Sequence, residues 1–154
     1  MSKVSEKVAA AKKVCLAHGV PITSKRVNLY SILLDSDKAL SAYELADLYQ
    51  EVFAAPIPAI TVYRVLEFLQ DNDLVHKLDT ANKFVACSLF DCKHTRPASQ
   101  FLICNQCLKV KELGMSGAKF EELKQTIEEA GFHLDTQQLE MNCICTDCHT
   151  GMTK

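Results

Sequence analysis

Two Cys-x-x-Cys pairs constrain the fold of this chain more than any other feature of its sequence. The first pair is Cys104 and Cys107, and the second is Cys145 and Cys148. Each pair can offer two thiolates from one tight turn, and two such turns complete the tetrahedral sulfur site that zinc prefers. A site with four protein ligands has no open coordination position. We therefore expect a structural zinc ion that holds the end of the chain against an earlier segment.

The same pairs could instead serve thiol–disulfide exchange or zinc buffering. Redox pairs of the thioredoxin type stand at the N-terminus of a helix in a βαβ setting. The sequence predicts no clear helix after either pair, and no nucleophile–base or acid–base pair indicates an enzyme. Structural zinc is the favoured interpretation. The alternative predicts disulfide reductase turnover or readily exchangeable zinc.

The cysteines and the hydropathy pattern also bear on the compartment. The chain has 154 residues and 8 cysteines. It shows no apolar signal core at its N-terminus and no apolar run of the roughly 18–20 residues that cross a bilayer. We therefore expect a cytoplasmic protein that does not enter a membrane. In that compartment cysteines indicate metal or redox chemistry and not disulfides.

Basic residues are concentrated near the N-terminus, although the whole chain carries a net charge of −2. Within residues 1–26 a single acidic residue, Glu6, accompanies the basic residues Lys3, Lys7, Lys12, Lys13, Lys25 and Arg26. Such a segment can contact the phosphates of a nucleic acid while the protein stays near neutral. A solvated helix face would carry the same pattern, so charge alone leaves both interpretations open.

The first half of the chain shows the order of a winged helix-turn-helix domain. Apolar spacing and capping residues predict four helices, in residues 4–18, 23–35, 41–52 and 59–71. Residues 74–87 then alternate like two strands around a central turn, which makes them the wing of such a domain.

The fourth predicted helix has the features of a helix that reads DNA bases. Its buried stripe is predicted to consist of Val62, Val65, Leu66 and Leu69. Thr61, Tyr63 and Arg64 lie off that stripe, in the first turns, where recognition helices reach base edges. An arginine there can bind guanine through two hydrogen bonds. A plain surface arginine and tyrosine would give the same pattern.

The second half predicts a small α/β unit with little core of its own, which a structural metal and a dimer partner would both stabilise. Its predicted elements are strands at residues 100–103, 110–113 and 133–141 and a helix at residues 116–130. The expected fold class is α+β, with a winged helix-turn-helix domain at residues 1–82 and an α/β dimerisation domain with the four-cysteine zinc site at residues 83–154. We expect the hinge at about residues 79–90.

A second set of potential ligands combines imidazole, thiolate and carboxylate groups. Its members are His76, Cys87, His94 and Glu112. A thiolate with imidazole and carboxylate groups favours zinc over a harder ion. Because these residues are divided between the two halves, a metal bound by all four would fix one relative orientation of the halves. The alternative to a shared metal site is that each of these residues is solvated or has a structural role of its own.

Four segments carry a family resemblance over nearly the whole chain. They are Thr61-Val62-Tyr63-Arg64, Val75-His76-Lys77, Phe101-Leu102-Ile103-Cys104 with Cys107, and Cys145 with Cys148. In combination they resemble the ferric-uptake-regulator family, and most of all its zinc-uptake-regulator branch.

The resemblance implies a zinc-responsive repressor of zinc-uptake genes that binds an inverted-repeat operator in double-stranded DNA as a metal-loaded homodimer. It implies two zinc ions per chain, one structural and one regulatory. The regulatory ligands that it implies are His76, Cys87, His94 and Glu112. It also implies that Tyr43, Tyr63 and Arg64 approach DNA, with Lys25 and Arg26 near its backbone.

The chain departs from the family pattern at three places. Iron-sensing relatives carry a His-His-Asp-His run where this chain has Ala98-Ser99-Gln100-Phe101, which disfavours an iron or peroxide sensor with the same fold. Thr136 stands at the place of a histidine, so we expect no third metal site. The loop between His94 and Cys104 is longer than in close relatives, so Cys92 is an alternative to His94 as a ligand.

Overall fold

The computed structural model describes residues 3–87 and 98–151. The chain forms two compact units, Met1–Cys87 and Ser88–Lys154, called the first and second unit below. The boundary expected after residue 82 falls inside the wing hairpin, whereas the contacts divide the chain after Cys87, within the stretch expected for the hinge. No helix in the described part is long and apolar enough to cross a membrane.

The first unit is a winged helix-turn-helix in the predicted order. Its elements are α1 Lys3–Ala17, α2 Ser24–Asp35, α3 Ala42–Phe53, α4 Ala59–Asp71, β1 Val75–Leu78 and β2 Lys83–Ala86. The hydroxyl of Thr23 accepts a hydrogen bond from the Arg26 amide at 3.4 Å and caps α2. Ser41 caps α3 in the same way, by accepting from the Glu44 amide at 3.1 Å.

The helix α4 begins where the sequence predicts. Pro58 is its N-cap residue, and the fixed φ of proline suits the start of a helix. The predicted apolar stripe is buried in full, at Val62, Val65, Leu66 and Leu69. Burial of this stripe fixes which face of α4 points away from the core, and that face carries Tyr63 and Arg64.

The wing is joined to the rest of the first unit by its second strand. In the antiparallel pair of β1 and β2, His76 lies opposite Val85. Phe84 is buried and exchanges two backbone hydrogen bonds with Leu40, of 2.8 and 3.0 Å. The ammonium group of Lys83 lies 2.9 Å from the Glu44 carboxylate in the first turn of α3. The wing is therefore attached to the segment that leads into α3.

The second unit is a three-stranded sheet with one long helix. Its elements are β3 Ala98–Cys104, β4 Val110–Met115, α5 Gly117–Glu129, β5 Gln138–Cys143 and α6 Thr146–His149. The strand order is β4-β3-β5, with β4 antiparallel and β5 parallel to β3. The last strand was predicted at residues 133–141 and starts later, because its register with β3 begins at Gln138.

The two units differ in how much apolar core they have. Among the described residues, 21 buried apolar side chains belong to the first unit and 6 to the second. One core cluster of the second unit consists of Ala98, Met115 and Phe120, against which half-buried leucines pack. The small core agrees with the expectation that this unit needs a further source of stability.

Candidate metal centres and nucleic-acid interface

The structure brings the four predicted zinc ligands of the second unit together. One sulfur atom each from Cys104, Cys107, Cys145 and Cys148 lies within 4.8 Å of the others. Zinc–sulfur bonds of about 2.3 Å in a tetrahedron separate the sulfur atoms by about 3.8 Å. The sulfur atoms of Cys107 and Cys145 are 3.7 Å apart. The cluster therefore has the ligand type and the spacing that zinc requires.

Two different turns supply these thiols. The first pair follows β3, where the Leu108 amide donates to the Cys104 carbonyl at 3.0 Å and closes a tight knuckle. Leu108 has φ of 65°, a strained conformation for a branched side chain, which the knuckle requires. The second pair follows β5, and the Asn105 amide donates to the Cys143 carbonyl at 2.9 Å. The sheet thus holds the two knuckles side by side.

The second pair lies at the start of a short helix, which the sequence analysis did not predict. Cys145 is the N-cap residue of α6, and Cys148 lies within it. No periodic apolar pattern indicates α6, because one turn of four residues is too short to show one. Sequence reasoning also missed a pair of opposite charges across the knuckles, in which Lys109 donates to the Asp147 carboxylate at 3.3 Å.

Two thiols of the cluster, those of Cys104 and Cys148, have pKa values shifted in opposite directions. Backbone amides of Cys107, Cys145 and Gln106 stabilise the Cys104 thiolate, and they lower the pKa of this thiol to about 6 against the opposing effect of burial. Burial, and then the neighbouring thiols, raise the pKa of Cys148 to about 12. The Cys104 thiolate thus forms readily, whereas ionising Cys148 needs a compensating positive charge, which a divalent cation supplies.

The predicted regulatory ligands are found in both units. In the first unit His76 is half-buried in β1, and Cys87 is buried directly after β2. The Cys87 amide donates to the Leu74 carbonyl at 2.8 Å, and its sulfur lies within 4.8 Å of a ring nitrogen of His76. In the second unit Glu112 is buried in β4, opposite Phe101. His94 and its alternative Cys92 lie outside the described residues.

The predicted base-reading residues lie at the exposed side of α4. Tyr63 is 44% exposed and Arg64 is also exposed, whereas Thr61 is half-buried. Tyr43, at the start of α3, is 66% exposed. Large apolar rings that are exposed on a helix-turn-helix are available for contact with a partner.

The two residues expected near the DNA backbone differ from each other. Lys25 is exposed, but Arg26 is half-buried. The guanidinium carbon of Arg26 lies 3.7 Å from the centroid of the Phe68 ring, on α4. The sequence singled out Arg26 by charge and gave no sign of Phe68 as its neighbour.

Comparisons with known proteins agree with this architecture. Residues 17–142 match the model of the ferric uptake regulator family. The zinc uptake regulation protein of Escherichia coli (strain K12) is 35% identical to this chain over 144 residues, which are 93% of this chain and 81% of that protein.

Two solved structures extend the likeness to three dimensions. A zinc uptake regulator complexed with zinc and DNA matches with a TM-score of 0.84 and 30% identity, over 100% of both chains. The crystal structure of holo XcZur matches with a TM-score of 0.75 and 33% identity, over 93% of this chain and 96% of that one. With a family model that covers most of its length and relatives this similar, the chain belongs to the ferric uptake regulator family.

Proposed function

We propose that this protein is a zinc-responsive transcriptional repressor that binds operator DNA and represses zinc-uptake genes. One observation carries the proposal: the whole chain is similar to a zinc uptake regulator that was solved with zinc and DNA. The exposed Tyr63 and Arg64 on a firmly packed α4 supply the groups that such a function needs. The relatives are regulators, so we propose no catalytic activity, and we place the protein in the cytoplasm with the DNA.

Two zinc ions per chain would have different roles. The four thiols of the second unit would hold a structural ion, since they leave no open coordination position. The regulatory ion would use His76, Cys87 and Glu112, with His94 or Cys92 as the fourth ligand. His76 and Cys87 are close together in the first unit, and one soft sulfur among harder ligands suits zinc.

The regulatory ion would act by fixing the orientation of the DNA-binding unit. Two of its ligands belong to the wing, which Lys83 and Glu44 attach to α3. A metal that also binds Glu112 would hold the wing, and with it α3 and α4, in one position relative to the second unit. The free energy of zinc binding would then favour the orientation that binds DNA. Zinc would therefore raise the affinity for DNA, which is the linkage expected of a sensor.

The active form would be a homodimer built through the second unit. An inverted-repeat operator presents two equivalent half-sites, and a two-fold dimer places one α4 at each of them. Support comes from the sheet, whose outer strands β4 and β5 carry the exposed apolar side chains Leu113 and Met141. Burying such side chains against a second copy would add to the small core of this unit.

The test is operator binding measured against buffered free zinc. A labelled duplex from the DNA upstream of a candidate zinc-uptake gene is titrated with the purified protein, and fluorescence anisotropy is followed. We expect tight binding with zinc, none with a chelator, and weaker activation by ferrous iron. Cys87→Ser should raise the zinc concentration needed by more than about tenfold, because it removes one ligand of the regulatory ion.

The matched control is Cys15→Ser, since Cys15 is also a buried cysteine of the first unit but lies in α1, away from the wing. It should leave the zinc dependence unchanged. Binding that ignores the chelator, or a Cys87→Ser protein with the zinc dependence of the wild type, would contradict the proposed mechanism.

A further inference from the structure

Three contacts hold the end of α4. Nδ2 of Asn72 donates to the Phe68 carbonyl at 2.9 Å, and Nδ1 of His18, just after α1, donates to Oδ1 of Asn72 at 3.0 Å. The Arg26 guanidinium, in the first turn of α2, lies over the Phe68 ring. Phe68 is thus held at two points. Its carbonyl is linked through Asn72 to His18, which follows α1, and its ring contacts Arg26 in α2.

We propose that Arg26 is a positioning residue for DNA recognition, which fixes α4 by stacking on Phe68 instead of neutralising a phosphate. The inference rests on the proposed DNA-binding function. A guanidinium is planar and weakly hydrated, and it is attracted to the negative face of an aromatic ring. Arg26 is half-buried, so this attraction is less screened by water than it would be on an open surface.

The contact matters because of where Phe68 lies on α4. Arg64 precedes Phe68 by four residues, so the two side chains are neighbours on one helix face, one turn apart. Arg64 is exposed in the middle of the helix, one turn before the turn that is held. A change in the tilt or rotation of α4 would move Arg64, and contacts with a base edge through two hydrogen bonds depend strongly on placement.

Lys25 provides the matched comparison. It precedes Arg26 in the chain, carries the same charge and is exposed. A lysine that neutralises a phosphate contributes about 0.9 to the slope of log affinity against log salt concentration. A positioning arginine contributes to affinity for the specific site without that contribution to the slope. The salt dependence therefore distinguishes the two roles.

The experiment uses zinc-loaded, full-length protein and the operator duplex that the wild-type protein protects from nuclease. Affinity is measured by fluorescence anisotropy at several potassium chloride concentrations, together with a duplex of unrelated sequence. Phe68→Leu changes no charge, and we expect it to weaken operator binding by about fivefold with the salt slope unchanged. Phe68→Tyr keeps an aromatic face and should bind like the wild type.

The two residues should act as a pair. Arg26→Gln should weaken operator binding about as much as Phe68→Leu, and the double variant should be little weaker than either single variant. Lys25→Gln should instead lower the salt slope by about 0.9 and weaken binding to both duplexes. Should Phe68→Leu fail to fold, the salt slope of Arg26→Gln decides, because a positioning arginine leaves that slope unchanged.

Four results would overturn the inference. They are additive losses in the double variant, a Phe68→Tyr protein as weak as Phe68→Leu, an Arg26→Gln protein that loses the same salt slope as Lys25→Gln, and an Arg26→Gln protein with full affinity for the operator. If the wild-type protein itself shows no zinc-dependent operator binding, the proposed function fails. The coupling of Arg26 and Phe68 is then measured from urea unfolding of the wild type, Arg26→Gln, Phe68→Leu and the double variant, and independent effects would reject the contact itself.

Discussion

Removal of zinc from the four-cysteine cluster should unfold the second unit and leave the first unit folded. Of the 6 buried side chains counted as apolar among the described residues of the second unit, Cys104 belongs to the metal cluster, which leaves 5 for the core. At about 1.5–3 kcal/mol for each large one, these contribute on the order of 10 kcal/mol. A structural zinc ion contributes a comparable amount, about 10–16 kcal/mol in small zinc-dependent domains.

The contribution of the zinc ion is as large as the whole free energy of unfolding of a typical domain. A folded domain is stable by only about 5–15 kcal/mol in total, so the loss of a contribution as large as that of the metal is more than the second unit can tolerate. The first unit, with 21 buried apolar side chains and no part in the cluster, should keep its unfolding midpoint.

The distribution of tyrosine residues allows each unit to be followed separately. The chain has 4 tyrosines and no tryptophan, and Tyr30, Tyr43, Tyr49 and Tyr63 all belong to the first unit. Tyrosine fluorescence therefore reports the first unit, whereas far-ultraviolet circular dichroism reports both. In Cys148→Ser, which removes a ligand of the cluster and keeps the proposed regulatory ligands His76 and Cys87, we expect the circular dichroism signal to fall while the tyrosine transition stays in place.

Cys143→Ser is the matched control, because Cys143 is a half-buried cysteine at the end of β5 that is not one of the four clustered thiols. Its unfolding should resemble that of the wild type. The prediction is refuted if Cys148→Ser leaves the second unit folded, or if this substitution shifts both signals together by the same amount.

Further predictions concern the first unit. Arg64→Ala should weaken operator binding by roughly 5- to 150-fold, with little effect on an unrelated duplex, because an arginine that reads a base contributes about 1–3 kcal/mol; anisotropy with both duplexes checks this. Ser41→Ala removes the cap of α3 and should lower the free energy of unfolding by about 1 kcal/mol, measured by urea titration with tyrosine fluorescence. The hydrogen bond and charge of Lys83 lower the pKa of Glu44, so the stabilisation from this pair is present above the ordinary carboxyl range and is lost as the pH falls through the lowered value. Glu44→Gln should therefore be less stable than the wild type at neutral pH and equally stable in strong acid; equal stability at both would reject the pair.

Local signals allowed α4 to be predicted with its bounds. Pro58 fixes its start, and the four apolar residues at helical spacing are all buried. These signals act within a few residues of one another, so the sequence alone displays them. The wing was predictable for the same reason, because two alternating segments flank one short turn.

Contacts between distant segments could not be predicted in the same way. The start of β5 is set by its register with β3, almost 40 residues earlier, and no residue near Gln138 indicates it. The stacking of Arg26 on Phe68 depends on how α2 and α4 pack, and spacing within either helix does not reveal it. The four-cysteine cluster was the exception, since the metal chemistry of two Cys-x-x-Cys pairs requires them to meet.

Because β5 pairs with β3, the second unit can be completed on the ribosome only after the last strand has been synthesised. The first unit can fold while the rest of the chain is still being made, because all of its strands and helices are encoded before residue 88. The sheet of the second unit lacks one of its strands, and its metal lacks half of its sulfur atoms, until Cys148 has emerged. A nascent chain would therefore carry a folded DNA-reading part well before it could acquire its structural zinc, so premature termination before Cys145 should yield a first unit with no stable second one.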